Sequence, residues 1–182
     1  EKGGPLRTAR HGLTAAQYQN AFEDFGKQGF RLRLVNGYRQ GNSDRYAGLW
    51  VKTGGPVLAA RHGLPDENYQ HVFDNMRYQS FEAQYISAFN SASGVRFNGI
   101  WENTAFSAKD LMLIQDKVAA YMKANKVPGL SVAFSKNNRL VYAAGFGEAD
   151  QEKNELVAPT HRFRIASVSK PITHVAIERL IK

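Results

Sequence analysis

The 182-residue sequence contains no cysteine. That excludes disulfides and thiol nucleophiles, and it fits either the cytosol or a secreted enzyme that needs no staples. No run of about 18 apolar residues occurs, so no transmembrane helix is expected. No signal peptide is visible, and a start at Glu1 rather than Met suggests a processed or excised product. Basic clusters are missing too. The 24 Lys and Arg outnumber the 16 Asp and Glu, for a net charge of +8, but the two signs are interspersed. With +3 in residues 1–104 and +5 in the remainder, neither half forms a basic run or a nucleic-acid motif. A solvated surface is expected, with no nucleic-acid partner; its charge suits acidic cell-wall or plant polymers. The five histidines show neither His-x-x-x-His nor His-Glu-x-x-His spacing, so no metal or cofactor is expected. What is present is 43% apolar residues and 12% aromatics, enough for two modest cores in one or two domains.

An internal repeat organises the first half. An offset of 51 aligns residues 4–50 with 55–101 without gaps, and 15 of the 47 positions are identical. Ordinary composition gives roughly one match in seventeen by chance, so this is a tandem duplication. Ala9-Arg10-His11-Gly12-Leu13 matches Ala60-Arg61-His62-Gly63-Leu64, and Tyr18, Phe22 and Trp50 match Tyr69, Phe73 and Trp101. Thr14, or Pro65-Asp66, marks a helix start. Tyr18, Phe22 and Phe25 then fall on one helical face, as do Tyr69, Phe73 and Met76. Gly29 to Val35 alternates as a strand, Asn36 to Asp44 is expected to turn the chain, and Tyr46 to Val51 forms another strand. Each unit therefore reads as a helix on a small antiparallel sheet, with the pair related by a pseudo-two-fold or a translation. His11 and His62 share a slot, which suggests a ring bonded to backbone near each helix start. Glu1-Lys2 aligns with Lys52-Thr53, after the first Trp, which suggests further repeat sequence upstream.

The second half reads differently. Ser107-Ala108-Lys109-Asp110 caps a helix whose apolar positions are Leu111, Ile114, Val118 and Tyr121 or Met122, and Val127-Pro128-Gly129 stops it. Leu130 to Phe134 and Leu140 to Ala144 flank Asn137-Asn138 as a hairpin. Ser167-Val168-Ser169-Lys170 then opens a further helix. Residues three apart share a helical face, so Lys170 stands beside Ser167. A serine hydroxyl needs an adjacent base, which a desolvated lysine supplies, and a helix N-terminus suits an oxyanion formed at that serine.

With Gly145-Phe146-Gly147 and Pro159 to Ala166 before it, this stretch resembles the serine β-lactamase and penicillin-binding-protein superfamily, in its class C β-lactamase, carboxypeptidase and esterase branch. The resemblance covers about residues 107 to 182. The repeats, through Arg-His-Gly-Leu, Tyr-Gln-x-x-Phe and Gly-x-Trp, resemble those preceding the hydrolase domain in fungal polyglycine hydrolases. The implied fold class is α+β: two tandem helix-plus-antiparallel-strand repeats, about 4–54 and 55–104, then the N-terminal part of a β-lactamase-like domain over 105–182. The resemblance implies Ser167 as nucleophile and Lys170 as base in a serine hydrolase acting on an amide or ester. It also implies a secreted enzyme and a peptide or acyl substrate such as a Gly-rich linker. The family's later Tyr-x-Asn and Lys-Thr-Gly elements do not follow Ser167, so the chain is expected to be a fragment, inactive alone, with Lys182 inside a continuing helix. Tyr18-Gln19-Asn20 and Lys52-Thr53-Gly54 match those patterns but precede the serine and belong to the repeat. The rival expectation is a binding module whose hydrolase portion is incomplete or inactive.

Overall fold

A computed structural model describes residues 3–181; Glu1, Lys2 and Lys182, used in the repeat alignment and at the end of the last helix, lie outside the described residues. The first unit runs β1 (Arg7–Leu13), α1 (Ala15–Lys27), β2 (Phe30–Gln40) and β3 (Ser43–Lys52). The second repeats that order as β4 (Val57–Pro65), α2 (Asp66–Tyr78), β5 (Phe81–Ser91) and β6 (Gly94–Asn103). Each forms a three-stranded antiparallel sheet, ordered β1-β3-β2 and β4-β6-β5. The α+β class and the duplicated element order agree with the sequence.

One strand of each unit was not read from the sequence, and one sequence reading needs correction. Arg-His-Gly-Leu is the end of a strand that the sequence did not reveal. Its alternation is broken by a bulge between Arg10 and Leu13, and again between Arg61 and Leu64. Gly12 and Gly63 sit there at φ +71 and +64, which suits glycine. The chain does not turn through Asn36 to Asp44. β2 continues to Gln40, and the reversal is confined to Gly41-Asn42.

The helices start as their residues dictate. Thr14 Oγ1 accepts from the Gln17 N–H while Gln17 Oε1 accepts from the Thr14 N–H, a reciprocal cap. Pro65 takes the equivalent place with no side-chain bond, and Asp66 and Glu67 complement the helix dipole instead. Gly-x-Trp has a packing cause. Residues two apart share a strand face, and the Trp50 ring folds back over Gly48 as Trp101 does over Gly99. A Cβ at either glycine would overlap the indole. Trp50, Tyr18, Leu32 and Val35 are buried, with Phe25 and Trp50 rings 5.0 Å apart. Buried Tyr18 therefore belongs to the core, not to a Tyr-x-Asn site.

The units stack head to tail. The second sheet turns the face opposite α2 onto the first unit, so Ile100, Leu58 and Ala60 complete the first core. His62 lies 4.7 Å from the Tyr18 ring and 4.9 Å from Tyr46. The reciprocal positions are open: His11 and Tyr38 are exposed. A pseudo-two-fold would bury both sets, so the relation is head to tail and not two-fold. Polar bonds fix the junction. Arg31 Nη2 meets Glu102 Oε1 at 2.8 Å with both side chains largely buried. The buried Asn98 accepts from the Gly63 N–H and donates to Ser87 Oγ, which donates to the Val35 carbonyl.

His62 gives a pH prediction. Burial lowers its pKa below the ordinary 6.5, offset in part by the Ala15 backbone. The unfolded chain then binds the proton first, so stability falls as pH drops below about 6.5 and levels off beneath the folded value. Urea midpoints from pH 7.5 to 5 (an assay range of about 2.5 units) should decline in the native chain and decline less in His62→Phe. An unchanged slope in the variant would remove His62 from the account.

Candidate active site

After β6 the chain enters α3 (Ala108–Asn125), capped reciprocally by Ser107 and Asp110. The Ser107 hydroxyl and N–H hold the Asp110 carboxyl below its usual range. Lys126, at φ +52, ends the helix in the left-handed conformation. β7 (Gly129–Lys136) and β8 (Arg139–Asp150) then form the expected hairpin. Asn137 and Asn138 both have positive φ, 52 and 58, as the tight primed turn requires. A short β9 (Glu155–Leu156) adds a third strand beside β8, giving the order β7-β8-β9. Gly145 is needed here, since a Cβ would overlap the Val157 carbonyl. Tyr142, Ala143 and Ala144 are buried, and Phe106 packs edge-on to Tyr142 at 5.7 Å.

The loop from β9 to the Ser167 segment is pinned by His161, whose role the sequence spacing did not reveal. Its Nδ1 accepts from the Ala158 N–H at 2.6 Å, and its Nε2 lies 2.9 Å from Glu155 Oε1. Nδ1 is thus the acceptor, and Nε2–H donates to the carboxylate. The signal for this was only a His six residues after a Glu, which no motif encodes. Among the described residues no group of three or more His, Asp or Glu side chains is placed to hold a metal ion.

Ser167 lies in a one-turn 3-10 helix, Ala166–Val168, and α4 (Ser169–Ile181) starts after it. The expectation that Ser167 opens the α-helix itself is thus corrected by one turn. Two groups cause the offset. Ala166 adopts φ +44, a left-handed conformation that costs an alanine of order 1–3 kcal/mol. The Ser169 hydroxyl donates to the Ala166 carbonyl at 2.8 Å and closes the turn. Pro171 sits in the first turn of α4, where its missing N–H is not needed. Non-glycine strain of this kind concentrates where a side chain is presented for function.

Ser167 and Lys170 lie one turn apart and both are exposed, with no hydrogen bond joining their side chains. α4 buries no residue, and its main contact is with the turn before it. Val168, Ile172 and Val175 are 64%, 62% and 56% exposed, an apolar face with nothing packed on it. A lysine acts as base once water is stripped from it, and here Lys170 is solvated.

Comparison with known proteins finds two family matches in this chain. Residues 4–53 and 55–104 each match the family described as "Polyglycine hydrolase-like, structural repeat", and residues 114–182 match the family "Beta-lactamase". The serine beta-lactamase-like protein LACTB, mitochondrial, of Bos taurus is 39% identical over 75 residues, or 41% of this chain. The aligned part is 12% of that relative's own length.

Proposed function

The chain belongs to the polyglycine hydrolase-like repeat family and continues into a β-lactamase-family segment, and on that premise we propose that the whole protein is a serine hydrolase acting through Ser167. One observation carries the reading: the strained Ala166 turn presents Ser167 with Lys170 one helical turn away. In this mechanism Ser167 Oγ attacks the carbonyl carbon of an amide or ester as Lys170 Nζ takes its proton. The oxyanion so formed is met by backbone N–H groups, the Ser167 N–H among them. Collapse expels the amine or alcohol, which receives a proton, and leaves an acyl group on Ser167. Water then releases the acid and restores the hydroxyl. A Gly-rich peptide is the proposed substrate, supported by the repeats that precede the hydrolase segment. In the whole protein the apolar face of α4 is covered and Lys170 is desolvated. Residues 1–182 alone, with both groups solvated, are proposed to be inactive.

The test is turnover of a quenched Gly-rich peptide, a chromogenic ester and a chromogenic β-lactam by the whole protein. Hydrolysis of at least one is expected. Lys170→Met should lower kcat by about 10² to 10⁴ while leaving KM within a few-fold, because a general base contributes that much. Turnover of none would favour a binding module instead, and full activity in Lys170→Met would place the base elsewhere.

A further inference from the structure

The two units share a topology but not their neighbours, and the difference leaves one corner of the first unit open. At the C-terminal end of α2 the Ser80 hydroxyl donates to the Val141 carbonyl of β8. Asp74, Arg77 and Ser80 face Leu140 across a small crevice there. An extended strand is thus seated against that helix end. The 51-residue offset maps Asp74, Arg77 and Ser80 onto Glu23, Gly26 and Gly29. In the first unit these three residues line a cleft of about 900 Å³, bounded opposite by the linker around Pro56 and by Phe106. That volume lies in the range of clefts that hold ligands.

The lining selects an occupant. Phe22, Phe30 and Trp50 give it apolar aromatic walls. Gly26 and Gly54 leave open space where a side chain would begin, so main chain can approach main chain closely. Arg31 lines the cleft as well, with its Nη2 paired to Glu102 and its Nε buried against Gly55 without a hydrogen-bond partner among the described residues. The Trp50 indole N–H is also unpaired, but Trp101 shares that property, so it marks the repeat and not the cleft.

We propose that this cleft binds an extended, largely apolar peptide, seated at the end of α1 as β8 is at the end of α2. The site is separate from Ser167 and does not depend on its activity.

The probe is the capped peptide Arg-Leu-Val-Tyr-Ala-Ala-Gly-Phe-Gly, the sequence of residues 139–147. In the full chain carrying Trp101→Phe, Trp50 becomes the sole tryptophan, since the sequence has two. Titration should shift Trp50 emission saturably, with half-saturation below about 1 mM, the weak end of specific binding. Calorimetry on the unmodified chain gives the same reading if Trp101→Phe does not fold. Gly26→Leu adds a side chain into open space on a helix, so the fold should persist while binding weakens at least tenfold. No saturable signal from the folded chain would overturn the proposal, as would undiminished binding by Gly26→Leu. A response to a chitin oligosaccharide but not to the peptide would overturn it too.

Discussion

Ser167→Ala in the whole protein should remove hydrolysis of every substrate it turns over, a loss of about 10⁴-fold or more in kcat/KM. The size follows from what the hydroxyl does in the proposed mechanism. Without it no acyl-enzyme forms, and water must attack directly with only the oxyanion donors and binding to help. The substitution removes one exposed oxygen, so stability should be unchanged. Substrate binding should be retained as well, which separates this variant from one that misfolds. Steady-state kinetics beside a thermal melt checks both. Activity above a hundredth of the parent's (roughly two decades of loss against the four expected) would place the nucleophile elsewhere.

Trp50→Ala should be the most damaging change to the repeats. The ring is fully buried, covers Gly48 and packs on Phe25 and Tyr18 at 5.0 and 5.9 Å. Large aromatic deletions from a core typically cost about 3–5 kcal/mol. For a chain of this size that lowers Tm by on the order of 10 °C. The first core also contains Ile100 from the second unit, so both units should feel the loss in one transition. Differential scanning calorimetry would show it. A shift under about 2 °C, well short of that scale, would mean that the indole contributes little to the core.

Most of the architecture was legible because its signals are local. The 51-residue period is carried by residues that shape each unit: Trp50 and Gly48, Tyr18 and Phe22, and the bulge glycines. Thr14, Ser107 and Asn137-Asn138 mark their caps and turn by backbone chemistry that needs no tertiary context. The first strand of each unit was hidden because its bulge destroys the two-residue alternation, and Thr14 follows within one residue of Leu13. The reach of β2 to Gln40 was hidden by Asn36 and Gly37, which resemble a turn but pair with Ala47 and Tyr46. Stacking direction was not readable at all. His11 and His62 are identical in sequence, yet one is exposed and the other lies between Tyr18 and Tyr46. The candidate site was readable as a pair of residues, Ser167 and Lys170. Its geometry was not, because the turn depends on Ala166 adopting a conformation that alanine seldom takes.

The central claim is that Ser167 is an acylating nucleophile, and intact-protein mass spectrometry tests it most directly. The whole protein, treated with a fluorophosphonate or a slowly released acylating substrate, should gain the mass of one adduct. Peptide mapping should place that adduct on Ser167, and Ser167→Ala should gain none. An adduct on another residue, or no adduct on a protein that hydrolyses its substrate, would contradict the account.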